Sequence, residues 1–368
     1  MRSYLSLGFN EDEAHRQVFD GMQPERSTRR NPINVRFSQP GRLSGGTQHT
    51  EAQYPGSDSP NTYGDMLDLL PGIRGGLLDR CRRTGTCPKV VHTMGDNEYW
   101  ESSGAGVTTD VFGRSDLSLP DNVRIYQFAS TQHGGFSRVA PLPTSTGICQ
   151  FLPNPNSYSY HLRGLLMALQ QWVAFGTPPP PSMYSRIDRK TLVPLGKFAF
   201  PSNPLLRNPE PQAIFHRRQL FDRGPHYDAD DVSGIISVEP PNLVADYPSP
   251  LVPQVDPDGN GIDGVRTLTL QVPLGTYTGW NIRGEGFSEG DACDLVGSYM
   301  PFPVTRVQRG ATGDPRLSLE ERYGTLANYT ARATAAANSL VAQRLLLPSD
   351  ADAAIRSVTN QAQQAGLK

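Results

Sequence analysis

The stretch on which the reading turns runs from residue 88 to 135 and begins Pro88-Lys89-Val90-Val91-His92-Thr93-Met94-Gly95-Asp96-Asn97-Glu98. Lys89 to Thr93 is a short β-branched run entered from Pro88 and closed by Gly95, which is the pattern of a strand. Asp96 and Glu98 stand just beyond it. A second run, Val123-Arg124-Ile125-Tyr126-Gln127-Phe128-Ala129, alternates large apolar and polar residues after the turn signal Pro120-Asp121-Asn122. His133 follows it, between Gln132 and Gly134. Each strand thus hands a titratable side chain to the loop behind it.

Working outward, residues 73–83 read as a short helix leading into the Lys89 strand, the alternation of an α/β layer. Residues 158–175 carry the clearest helical period in the chain. Leu162, Leu165, Leu166, Leu169, Trp172 and Val173 share one face, Gly176 fits the position just past the helix, and Pro178 to Pro181 stop it. Upstream, residues 2–9 read as the end of a helix broken near Gly8. Glu11 to Phe19 reads as a second short helix with Asn10 as its N-cap, and residues 18–22 as a short or edge strand. The Gly-, Pro- and Ser-rich text near 24–70 reads as a lid-like insertion.

A carboxylate after one strand and a histidine after the next fit the last two members of a Ser…Asp/Glu…His triad in α/β-hydrolase chain order. In that arrangement a histidine serves as general base and the carboxylate orients it. His133 is the candidate base; Glu98 and Asp96 are both candidate acids. The nucleophile should lie upstream, where no serine sits on a strand-to-helix elbow.

Six words resemble a bacterial family of α/β-hydrolase-domain proteins, mostly uncharacterised: GFNEDEAHRQVFDGM (8–22), CPKVVHTMGDNEYW (87–100), VRIYQFASTQHG (123–134), PLGTYTGWNIR (273–283), DLVGSYMPF (294–302) and GDPRLSLEERYG (313–324). The resemblance runs from residue 2 to about 347. It implies an α/β-hydrolase fold, represented by its late strands and packing helices, and favours Glu98 over Asp96 as the acid. It also implies a nucleophile elbow of G-x-S-x-G type immediately before Arg2-Ser3-Tyr4-Leu5, so that the chain itself is expected to lack the nucleophile serine and to be inactive alone. The expected organisation is a hydrolase part over 1–181 and a loop-rich extension over 182–368. Within that extension a hairpin is expected near 252–272, including a strand at 265–272, and helices toward the C-terminus. Ser318 with Glu321 and Ser349 with Asp352 have capping-box spacing.

The function expected from these residues is hydrolysis of a small-molecule carboxylic ester by the full-length protein. The alternative is a non-catalytic binding or structural protein that keeps the scaffold. Gly286-Phe287-Ser288-Glu289-Gly290 satisfies G-x-S-x-G, but its flanks supply neither strand nor helix and its order would be acid, histidine, serine. Tyr99, Trp100, Tyr277 and Trp280 are candidates for a substrate pocket and, equally, for core.

No metal or other cofactor is expected. Asp256-Pro257-Asp258-Gly259-Asn260-Gly261 matches half of a calcium loop, yet Thr267 stands where a bidentate Glu is wanted, so it reads as a turn. The Cys81 to Cys87 spacing is too wide for half of a zinc site. The four cysteines leave three pairings open, and pairing would imply a secreted or periplasmic home.

With a net charge of −2 and scattered basic residues, the 368-residue chain carries no footprint for nucleic acid, and it has no apolar run of transmembrane length. Gly 36 and Pro 33 make a loop-rich globular composition. Oligomeric state is not legible.

Overall fold

The computed structural model describes residues 1–28, 60–134, 141–202, 218–228, 236–248 and 251–368. Most of the insertion expected near 24–70 therefore lies outside the described residues. Its end does not: Met66–Asp68 (β2) pairs antiparallel with Ile73–Gly75 (β3), and Tyr63 is fully buried.

The site is positioned by a parallel sheet in the order β1 (Gly21–Met22), β4 (Lys89–Gly95), β5 (Val123–Phe128). Beyond β5 the sheet is extended by two single-residue bridges, from Tyr126 to Met183 and from Phe128 to Val265. Both long strands are buried on both faces, as parallel strands covered on two sides must be. Val90, Met94, Val123 and Ile125 pack with Leu5 of helix α1 (Arg2–Ser6) and with Leu77, Leu78 and Cys81 beside and in α2 (Asp79–Thr84). The alternate residues Val91, Tyr126 and Phe128 pack on α4 (Ser159–Phe175) through Leu165, Leu169 and Trp172.

That second face is also the floor for the C-terminal helices. The same cluster takes in Leu319 and Tyr323 of α7 (Leu319–Tyr323), Tyr329, Ala333 and Ala337 of α8 (Leu326–Ala342), and Val358 of α9 (Pro348–Gln364). Residues on both sides of the expected 181/182 division therefore share one core. A polar lock adds to it: the buried His161 of α4 hydrogen-bonds the carbonyl of Leu345 at 2.8 Å, and a Cβ at Gly164 would stand 3.0 Å from that same oxygen. Only glycine lets the α8–α9 connection lie this close to α4.

Several local expectations are corrected by side-chain hydrogen bonding. Residues 11–19 are not helical. Asn10 caps nothing there; its amide donates to the carbonyls of Phe19 and Thr86 and its oxygen accepts from the Phe19 amide, holding the segment as a closed loop. Residues 73–83 divide into β3 and α2. Residues 265–272 do not form a strand: the Thr267 side chain accepts from the Leu270 amide and starts α5 (Leu268–Gln271), and the antiparallel pairing near 252–272 is the single bridge from Val255 to Gly261 across the turn at 256–260. Leu251–Pro253 instead pairs antiparallel with Leu192–Pro194.

In α4, Leu166 is 53% exposed, and the buried stripe runs through His161, Leu165, Ala168, Leu169 and Trp172. The Ser318–Glu321 capping box is formed. The Ser349–Asp352 one is not, because Leu347 is the N-cap and Pro348 takes the first helical position of α9. An unexpected capping box, Thr305 with Gln308, begins α6 (Arg306–Thr312).

Candidate active site

β4 and β5 are in parallel register down to Gly95 opposite Phe128, so the loops that leave them emerge side by side at the carboxyl end of the sheet. The chain after β4 turns at once into α3 (Asn97–Glu101). Glu98, in the first turn, folds back toward the strand that precedes it. Its Oε2 accepts from the Gly95 amide at 2.6 Å and its Oε1 pairs with Nδ1 of His133 at 2.5 Å. The carboxylate is fully buried, whereas the histidine side chain is 30% exposed. An acceptor on Nδ1 leaves Nε2 as the ring atom available for proton transfer.

The His133 loop is held by three other elements. The Thr131 carbonyl accepts from the Asn97 amide at 3.1 Å, and the Thr131 hydroxyl donates to the Phe128 carbonyl at 2.8 Å. The His133 carbonyl accepts from the Tyr158 hydroxyl at 2.8 Å and from Arg26 Nη1 at 3.0 Å. Arg26 follows Glu25, which bridges Thr93 of β4 and whose half-buried carboxyl is raised by burial first and also by the charge of Glu98. Arg26, Glu25 and Tyr158 had no local signal in the sequence. They come from distant stretches that only the sheet and α4 bring here.

The two candidate acids have different neighbours. Asp96 accepts from Gln127 Nε2 at 2.6 Å and from the Ser130 amide at 2.7 Å, fastening β4 to the end of β5. Burial pushes its carboxyl up to about 7 against those two hydrogen bonds, and the Glu98 charge adds to the rise. Asp96 thus braces the loop, and Glu98 is the carboxyl that touches His133.

Tyr99, Trp100, Tyr277 and Trp280 are all buried in the core. Trp100 lies edge-on to Phe198, with ring centroids 5.0 Å apart, and tilted to Trp280 at 5.9 Å; Tyr277 stacks on Tyr299. His92 is buried too, with the Tyr63 hydroxyl 2.7 Å from its Nδ1.

Ser288 sits in an exposed turn, at φ 61°, within an excursion closed by the bridge from Ile282 to Ala292. No strand delivers it and no helix follows it. Among the described residues no hydroxyl hydrogen-bonds Nε2 of His133.

Among the described residues no group of three or more His, Cys, Asp or Glu could hold a metal ion. Asp256 to Gly261 is a turn, with Asp256 Oδ1 accepting from the amides of Asp258 and Asn260. Two disulfides resolve the pairing, Cys81 with Cys87 and Cys149 with Cys293. Among the described residues no helix is long and apolar enough to cross a membrane.

No curated protein and no solved structure matches the chain. A family profile described as "Alpha/beta hydrolase domain" matches residues 1–356. On a match spanning nearly its whole length, the chain belongs to the alpha/beta hydrolase domain family.

Proposed function

We propose that this is a serine-type hydrolase of small-molecule carboxylic esters, with His133 as general base and Glu98 as the residue that orients it. The observation that carries the reading is the 2.5 Å contact between Glu98 and His133 Nδ1, made across the carboxyl ends of adjacent parallel strands. As the serine oxygen bonds to the ester carbonyl carbon, its proton passes to Nε2. Collapse of the tetrahedral adduct expels the alcohol, which takes that proton, and water repeats the sequence to release the acid. Glu98 stabilises the imidazolium throughout.

The nucleophile comes from residues preceding Arg2, by the family resemblance. Topology supports this. Among the described residues β1 is the edge of the sheet, and α1 precedes it against the core. That edge leaves room for a further parallel strand beside β1.

An active-serine fluorophosphonate tests the proposal on two forms: the 368-residue chain, and the same chain with its in-frame upstream coding sequence. We expect labelling of one serine ahead of Arg2 in the longer form, lost in His133→Ala and retained in Ser288→Ala, and no labelling of the shorter form. Labelling of the 368-residue chain at any serine would overturn the assignment of the nucleophile. No labelling of either form would favour the non-catalytic scaffold, the reading consistent with the absence of a hydroxyl on Nε2 among the described residues.

A further inference from the structure

An open cleft lies alongside α3. Ala105, Val111, Phe112 and Leu251 give it an apolar lining, Gly106 lines it too, and the hydroxyl residues Thr28, Ser102, Ser103 and Thr109 complete its edge. The cleft is built onto the machinery that holds Glu98 and His133. The turn carrying Ala105 and Gly106 rests on α3 so closely that a Cβ at Gly104 would lie 2.9 Å from the Glu98 carbonyl oxygen. On the other side Thr28, two residues beyond the Arg26 that binds the His133 carbonyl, donates its hydroxyl to the Ser102 carbonyl at 2.9 Å at the end of α3.

The charges on the wall are already engaged. Arg218 lies 3.7 Å from the buried carboxylate of Asp68 and stacks on Tyr247, whose hydroxyl donates to Asp68 at 2.7 Å. Asp110 accepts from the amides of Phe112, Arg114 and Ser115, which builds the turn that presents Val111 and Phe112. An apolar wall with compensated charges favours an uncharged apolar group over an anion or cation.

We infer that this cleft binds the acyl portion of the substrate, and that the substrate class is esters of uncharged aliphatic or aromatic acids longer than acetate. The inference rests on the hydrolase reading for the word substrate, but the cleft can be tested apart from it.

Gly106 is the position to alter. A Cβ there meets nothing within 4 Å and its backbone is not in the left-handed region, so a side chain can be added without strain. Gly106→Phe should occlude the cleft. On the form that carries the nucleophile, the ratio of kcat/KM for 4-nitrophenyl hexanoate to that for 4-nitrophenyl acetate should fall about tenfold or more, with the melting temperature unchanged. An unchanged ratio in a folded variant would overturn the proposal.

If wild type turns over no ester, the hydrolase reading has failed by itself and binding decides the cleft. Hexanamide should show saturation transfer from wild type that is lost in Gly106→Phe. Absence of transfer, or equal transfer from both proteins, would overturn the cleft assignment.

Discussion

Oε1 of Glu98 and Nδ1 of His133 lie 2.5 Å apart, although 35 residues separate them in the chain. Oε2 of the same carboxylate is engaged by the Gly95 amide, so the pair cannot rotate freely. Glu98→Gln keeps the shape but places an NH2 against one of the two donors. Turnover in the nucleophile-bearing form should fall by about 10³ to 10⁴ with near-native folding, and His133→Ala should fall at least as far. Ester hydrolysis and circular dichroism on the same samples check this. A Glu98→Gln variant within threefold of wild type would remove Glu98 from the mechanism.

Tyr99 separates a core aromatic from a substrate contact. Its side chain is fully buried, and among the described residues its hydroxyl meets no hydrogen-bond partner. Deleting an unpaired buried hydroxyl should be neutral or stabilising by up to about 1 kcal/mol. Urea unfolding of Tyr99→Phe gives the value. Destabilisation beyond that would show a partner, and unchanged stability with a raised KM would place Tyr99 in the substrate site.

The pH dependence of stability should contain two contributions of opposite sign. Asp96 has its folded-state value raised to about 7, from about 3.9 when unfolded. Its contribution is therefore full in acid and is lost as pH rises through 7. His161 is pushed down to about 4 by burial, against the Leu345 carbonyl that favours its protonated form, and burial holds His92 well below its ordinary value. Their contribution is present above about 6.5 and is lost as pH falls toward 4. Urea midpoints from pH 4.5 to 8 should show Asp96→Asn losing the decline on the alkaline side. His161→Phe should soften the acid side, leaving the part due to His92. Identical slopes for Asp96→Asn and wild type between pH 5 and 7 would refute the Asp96 assignment.

The two disulfides should differ in weight. Cys149 and Cys293 close a loop of sequence separation 144, whereas Cys81 and Cys87 are separated by 6. Loop-closure entropy assigns about 5 kcal/mol to the first and about 2 kcal/mol to the second. Paired Cys→Ala variants, compared by denaturant unfolding without reductant, should rank in that order. The reverse order would mean that local packing, not chain constraint, sets their worth.

Sequence alone determined the elements whose signal is local. The β-branched run before Gly95, the run ending at Phe128, the helix stopped at Gly176 and the Ser318–Glu321 cap each follow from neighbouring side chains and their period. It also brought Asp96, Glu98 and His133 into view, because strand ends announce themselves. Tertiary structure decided what each of them meets. Two carboxyls two residues apart look alike in a sequence, and only the return of Glu98 toward Gly95 and the reach of Gln127 and Ser130 to Asp96 tell them apart.

The non-helical course of residues 11–19 and the short α5 in place of a strand were equally hidden. Asn10 spends its side chain on backbone groups, one of them 76 residues away, and Thr267 caps α5 while donating its hydroxyl to the Asn156 side chain, 111 residues away. Local propensity yields to such partners because a buried polar group left unpaired costs more than the propensity is worth.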